Sequence, residues 1–202
     1  MTRRLHRVVL TLAVLLLGLL PLTAVAGSIT YTESFMASGT VNGSPFSGDV
    51  SFTFTSDTTQ IMSNCFGASG LFCTPNGTAG VSIQGIGVGT FTNQFFVFDN
   101  QGNAVAGFSA VGIEDIVDLS NSAFATYDLK GAIGPLNTTF FFTDSGVPLG
   151  SSLGDIIFDS FSGTPTFTAS TEGGTTPEPG SFVLFGSGVL GLATILRRKL
   201  RP

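Results

Sequence analysis

The 202-residue sequence predicts an all-β fold: an antiparallel β-sandwich or jelly-roll-like domain, flanked by an N-terminal signal helix and a C-terminal single transmembrane helix. Three observations carry this reading. Short runs rich in Phe, Thr, Ser, Val and Ile alternate with a period of two between clusters of Gly, Asn, Asp, Pro and Ser. No stretch of the central body sustains a 3.6-residue period. Two longer apolar runs stand at the ends of the chain, each beside a basic cluster.

Residues 1–26 read as a signal peptide. Arg3, Arg4 and Arg7 form a positive leader, residues 8–20 an apolar stretch, and Ala24-Val25-Ala26 a small-x-small cleavage site that makes Gly27 the mature start. Signal peptidase and the general secretion machinery are the partners this segment calls for.

Residues 27–170 form the β-sandwich domain. Alternation at Ile29, Tyr31, Glu33 and Phe35, at Val50, Phe52 and Phe54, and at Phe124, Thr126 and Asp128 places strands near 28–38, 47–56, 79–84, 86–92, 94–99, 104–111, 122–130, 138–143, 155–161 and 164–170. Val41-Asn42-Gly43-Ser44-Pro45, Asn76-Gly77, Asn100-Gln101-Gly102-Asn103, Asp144-Ser145-Gly146 and Ser162-Gly163 are the turn signals, the Asp99 to Asn103 turn being the clearest hairpin. Residues 111–119 fit one short helical turn. Many short strands at this spacing suit a two-layer antiparallel architecture. Residues 171–176, Gly/Thr-rich and without apolar side chains, read as a linker.

Residues 177–202 form a separate C-terminal unit. Pro177-Glu178-Pro179 cannot continue a helix and is expected to be extended and exposed. The apolar run 181–196 gives about 24 Å of helix, slightly short of a hydrocarbon core of about 30 Å. Arg197, Arg198, Lys199 and Arg201, in the tail 197–202, extend its reach by snorkelling and act as a basic stop signal on the cytoplasmic side.

A Pro-Glu-Pro tripeptide, one hydrophobic segment and a terminal basic cluster, in that order, resemble the PEP-CTERM sorting signal of Gram-negative bacteria that make extracellular polysaccharide. The resemblance implies recognition by an exosortase, a membrane enzyme that processes the precursor near Pro177, Glu178 and Pro179. It also implies association of the exported protein with exopolysaccharide or biofilm, and it covers only the last 26 or so residues.

Charge limits what the body can do. Of eight Lys and Arg, three lie in the signal and four in the tail, leaving Lys130 against thirteen carboxylates and a net charge of −12 between Gly27 and Gly180. Nucleic-acid binding needs clustered cations to neutralise phosphates, so that class is excluded. The lone histidine, His6, is also in the signal. A Ser-His-Asp or Cys-His arrangement is therefore impossible in the body.

Other catalytic readings rest on carboxylates or on Lys130. Lys130, beside Asp128, reads as a solvated surface lysine, because no motif surrounds it that would activate a serine. Glu114, Asp115 and Asp118 make the densest acidic cluster, yet neighbours on a strand point to opposite faces, so the cluster works as a site only in a turn. Asp99-Asn100-Gln101-Gly102-Asn103 has oxygens at alternate positions, without the spacing or terminal Glu of an EF-hand loop. No catalytic residue, metal site or cofactor is expected.

Cys65 and Cys73 are the only cysteines, and export to an oxidising compartment makes a disulfide the expectation. Twenty phenylalanines include Phe182 and Phe185 in the tail, leaving eighteen in a body without Trp. They are expected to fill the core, although Phe95-Phe96 and Phe140-Phe141-Phe142 break strict alternation. Thr53-Phe54-Thr55 and Thr164-Pro165-Thr166-Phe167-Thr168 do not form a repeated array along the chain, which argues against an ice-binding surface. The reading is an exported noncatalytic surface or matrix protein. A glycan-binding or adhesion module is the alternative, and an acid/base glycosidase a more distant one.

Overall fold

The computed structural model describes residues 27–112 and 114–172. The expected signal peptide with Ala24 and Ala26, the Pro-Glu-Pro tripeptide, the apolar run 181–196 and the basic tail lie outside the described residues. Among the described residues, no helix is long and apolar enough to cross a membrane.

The chain forms β1 (Ser28–Val41), β2 (Ser44–Asp57), β3 (Met62–Ser63), β4 (Leu71–Thr74), β5 (Thr78–Ile83), β6 (Gly87–Thr90), β7 (Phe95–Asn100), β8 (Val105–Ala110), β9 (Glu114–Ser120), β10 (Ile133–Asn137), β11 (Thr139–Thr143), β12 (Pro148–Leu149) and β13 (Ile156–Thr171). Among the described residues these make two sheets. The first runs β10-β13-β1-β2-β5-β6, with β12 also on β13, and the second runs β11-β9-β8-β7-β4-β3. Every pairing within them is antiparallel.

The β1–β2 hairpin follows directly from its sequence. Val41 pairs with Ser44 across a two-residue turn, and Asn42 and Gly43 both take positive φ, 50° and 79°. A tight hairpin turn of this hand needs that backbone, and Asn-Gly is the pair that adopts it at least cost. The 14 residues of each strand then alternate, with Ile29, Tyr31, Phe35 and Ala37 of β1 and Val50, Phe52 and Phe54 of β2 turned inward.

Phe52 is the hub of the core between the sheets. Its ring lies 5.2 Å from those of Phe35 and Phe91, 5.7 Å from Phe158 and 6.0 Å from Phe108 of the second sheet. Edge-to-face geometry at three of these contacts suits the ring quadrupoles. A smaller cluster of Phe98, Val105 and the two cysteines packs on the opposite face of the second sheet.

Three expectations change. Residues 122–130 are not a strand: Ser122–Thr126 is a short 3-10 turn whose first N–H groups are capped by the Asn121 side chain, which accepts from Ala123 N at 2.9 Å. The segment plugs the sandwich with Phe124, whose ring sits 5.1 Å from Phe167, and the Tyr31 hydroxyl donates to Leu129 O at 2.6 Å. Residues 111–119 hold a strand, β9, in place of a helical turn, because β8 and β11 both offer it ladder partners. The two strands expected at 155–161 and 164–170 are one, β13. The Ser162-Gly163 signal marks a bulge, where β1 advances from Ser34 to Met36 while β13 crosses from Thr166 to Ser162. Gly163 supplies its positive φ of 76°.

Both ends of the described chain leave from one edge. Ile29 pairs with Thr171, Glu172 N–H donates to Ser28 O at 3.0 Å, and Thr58 N–H donates to Gly27 O at 3.0 Å.

Candidate functional site

The outward face of the first sheet carries hydroxyl side chains in rows. Thr30 lies between Thr55 and Ser170, Thr32 between Thr53 and Thr168, and Ser34 between Ser51 and Thr166. Strand geometry spaces such side chains about 4.8 Å apart across strands and about 6.7 Å along them. Cross-strand hydroxyl bonds link Thr30 to Thr55 at 2.9 Å, Ser34 to Ser51 at 3.2 Å and Ser38 to Ser160 at 2.8 Å. The Thr-x-Thr pieces that form no array along the sequence thus form one in space. Hairpin and strand register bring them together, and the period-two Ser/Thr alternation at residues 28–34, 51–55 and 166–170 is the signal that was there to be found.

Beside the β13 bulge this face sinks into a groove of about 470 Å³ lined by Ser34, Met36, Asp49, Ser51, Gln84 and Thr166 among others. Gly163 and Thr164 of the bulge line the groove, and Gln84 folds over Gly48, its Oε1 accepting from Asp49 N–H at 3.1 Å. Met36 is about half exposed. The groove offers hydroxyls, one carboxylate, one amide and one thioether, without a cation. That inventory suits a neutral polyhydroxylated ligand and opposes an anionic one.

The acidic cluster is partly assembled. Asp115 pairs with Ser109 and Asp118 with Gly107, with a bulge at Ile116 between them. Ser109 Oγ donates to Asp115 Oδ1, and a Cβ placed on Gly107 would strike Asp118 Oδ1. Both carboxyls therefore occupy the outward face of the second sheet. Asp118 is buried, with Oδ1 unpartnered. Burial pushes its pKa up to about 8, helped by the Asp115 charge and by a hydrogen bond to Asp115. Carboxyls that share a hydrogen bond are too close to flank a glycosidic bond, which needs about 5 Å or more between them.

Glu33 and Asp99 are fully buried, and none of their four carboxyl oxygens has a hydrogen-bond partner. Burial pushes Glu33 well above the ordinary carboxylate range, and the Asp118 charge adds to the rise. Asp99 is pushed up to about 8 by burial and then by the Asp128 charge. Burial without a hydrogen-bond partner disfavours the charged form of both carboxyls.

The Asp99 to Asn103 hairpin is present, with Asn100 opposite Val105. Its oxygens are not gathered for a cation: Asp99 points inward, and Asn100 Oδ1 accepts from Asn103 N–H at 3.3 Å. Among the described residues, no group of three or more His, Cys, Asp or Glu is placed to hold a metal ion. Lys130 is exposed, and its backbone N–H, at 3.0 Å from Asp128 Oδ1, closes a local turn. Cys65 and Cys73 form a disulfide with Cα atoms 6.1 Å apart.

Most body phenylalanines are buried. Phe66, 81% exposed, and Phe141 and Phe142 stand out as exceptions. Phe66 lies in the disulfide loop at a left-handed φ of 53°, its ring 5.8 Å from that of Phe96.

Residues 175–199 match the model of the PEP-CTERM protein-sorting motif. No curated protein and no solved structure matches the chain.

Proposed function

The chain carries a PEP-CTERM sorting motif, the mark of an extracellular protein sorted by an exosortase, and from that premise we propose that it is a noncatalytic surface or extracellular-matrix protein associated with exopolysaccharide or biofilm. The motif is the single observation that carries the reading. In the precursor, residues 1–26 direct export and are removed after Ala26, and residues 181–196 cross the inner membrane with the basic tail inside. The body is held outside by a short linker until the chain is cut near Pro177, Glu178 and Pro179. The body's strong negative charge supports solubility after release, and the disulfide suits an oxidising compartment.

Two features of the body favour a noncatalytic role. It lacks histidine, and the carboxyls of Asp115 and Asp118 share a hydrogen bond instead of facing across a cleft. The test of the sorting reading is a variant with Glu178→Ala and Pro179→Ala, expressed in the host. The expected result is an uncleaved precursor in the membrane fraction. Release at the wild-type level contradicts the assignment.

The groove beside the β13 bulge favours a second reading, binding of a neutral glycan on the outward face of the first sheet. Polar hydroxyl rows orient a sugar chain, and Met36 offers apolar contact to a ring face. Asp49→Ala, at an exposed position, is expected to weaken retention on the host's exopolysaccharide at least several-fold without changing thermal stability. Equal retention removes this reading.

A further inference from the structure

A second concavity, of about 440 Å³, lies on the outward side of the second sheet, lined by Met62, Phe66, Pro75, Phe96 and Val111 around the Cys65–Cys73 disulfide. Its described lining carries no charged side chain. Phe66 is 81% exposed, Val111 56% and Met62 48%. In a body of net charge −12, such a patch is unusual for a protein that meets only water.

The patch is tied to the edge from which the chain leaves. Asp57 pairs with Ser28, whose carbonyl accepts from Glu172 N–H. From Asp57 the 3-10 turn Thr58–Gln60 leads directly to β3 and Met62, and Thr58 N–H holds Gly27 O. Gln60 Oε1 accepts from Asn76 Nδ2 at 3.0 Å, next to Pro75 of the patch. Only residues 173–180 then separate Glu172 from the apolar run that begins at Ser181. Eight residues reach at most about 26–29 Å when fully extended.

We propose that, in the anchored precursor, this apolar patch rests on the outer surface of the membrane that residues 181–196 cross, with Phe66 inserted at the lipid headgroup level. The proposal rests on the transmembrane reading above. A short tether keeps this end of the domain near the bilayer, and the uncharged aromatic patch beside it has the chemistry of an interfacial contact. The contact depends on the tether. With Lys130 its one basic residue against thirteen carboxylates, the body is not drawn to anionic headgroups, and the tether supplies the high effective concentration that one aromatic anchor needs. Cutting the chain near Pro179 therefore releases the surface contact along with the anchor.

The chain has no tryptophan, so F66W introduces a single indole as a probe. The full chain carrying F66W is reconstituted into vesicles of phosphatidylethanolamine and phosphatidylglycerol, with and without lipids brominated along the acyl chain. Bromination is expected to lower the emission about two-fold or more, as for a ring at the interface. V111W, elsewhere on the groove lining, gives a second reading should F66W fold poorly. S44W, in the β1–β2 hairpin at the far end of β1, is expected to be unaffected. A chain that floats with the vesicles, while F66W and V111W stay as bright as S44W, keeps the anchor and overturns the surface contact. An F66W emission that shifts to the blue with protein density but resists bromine assigns the patch to a second copy and also overturns it. A chain that does not float removes the transmembrane reading, and this proposal with it.

Discussion

Asp115 and Asp118 lie on the same face of β9 although three positions separate them, because Ile116 is bulged out of the ladder between Ser109 and Phe108 of β8. A regular strand would turn them to opposite sides. The bulge brings the two carboxyls into hydrogen-bond contact above Gly107, which gives way to them by having no side chain.

That arrangement makes Gly107 a sensitive position. In Gly107→Ala the new Cβ would meet Asp118 Oδ1 and lie 2.6 Å from the backbone Val117 O and 3.0 Å from Asp118 Cα, neither of which can swing away as a side chain can. Overpacking of this kind costs about 1–3 kcal/mol. Urea unfolding of G107A is expected to show a lower midpoint with an unchanged slope, and a midpoint equal to wild type contradicts the packing described.

Stability is expected to fall as pH rises from about 4 to about 8. Glu33, Asp99 and Asp118 all bind their protons more tightly in the folded state, the latter two with values near 8, than in the unfolded chain. Stability from such groups is fully present below the unfolded carboxylate range and is lost as pH climbs through the folded values. Thermal scans at pH 5 and pH 8.5 are expected to give the higher Tm at pH 5. The triple variant E33Q/D99N/D118N is expected to flatten the profile. A wild-type Tm that rises with pH over this range contradicts the burial of these acids.

The disulfide closes a short ring, and the loop-entropy account assigns it about 2.6 kcal/mol. The paired variant C65S/C73S is expected to lose a few kcal/mol or less in urea unfolding, with the second sheet retained, since the bridge lies on its outward side among Phe98 and Val105. Loss of folding altogether would mean that the bridge holds the sandwich together.

Phe52 and Phe141 offer a direct contrast. Phe52 is buried among four aromatic rings, and truncation to Ala is expected to cost about 3–5 kcal/mol. Phe141 is largely exposed, and F141A is expected to change stability by about 0.5 kcal/mol or less. Similar losses at both sites contradict the assignment of inner and outer faces.

Much of the fold was legible in the chain because period-two alternation survives wherever one face of a strand is buried. The β1–β2 hairpin, with Asn42-Gly43 at its tip and Phe52 facing inward, could be read this way. The misreadings have local causes. At residues 122–130, the alternation of Phe124, Thr126 and Asp128 mimics a strand, whereas Phe124 serves a plug in a 3-10 turn that opens on the Asn121 cap. At Ser162-Gly163, a bulge carried the same residues as a turn. Sites were harder to see. The hydroxyl rows and the Asp115–Asp118 contact depend on register between distant strands, and Glu33 continued a core-facing alternation that a carboxylate is expected to break.

The most direct test is the intact mass of the native protein, taken from the membrane fraction and from the culture medium of its host. The account predicts a released species that begins at Gly27, ends near Pro179 and is two hydrogens light for the Cys65–Cys73 bridge, with any surplus belonging to attached groups. A released or surface species that keeps its sequence through Pro202 contradicts sorting cleavage, and the function proposed from it falls.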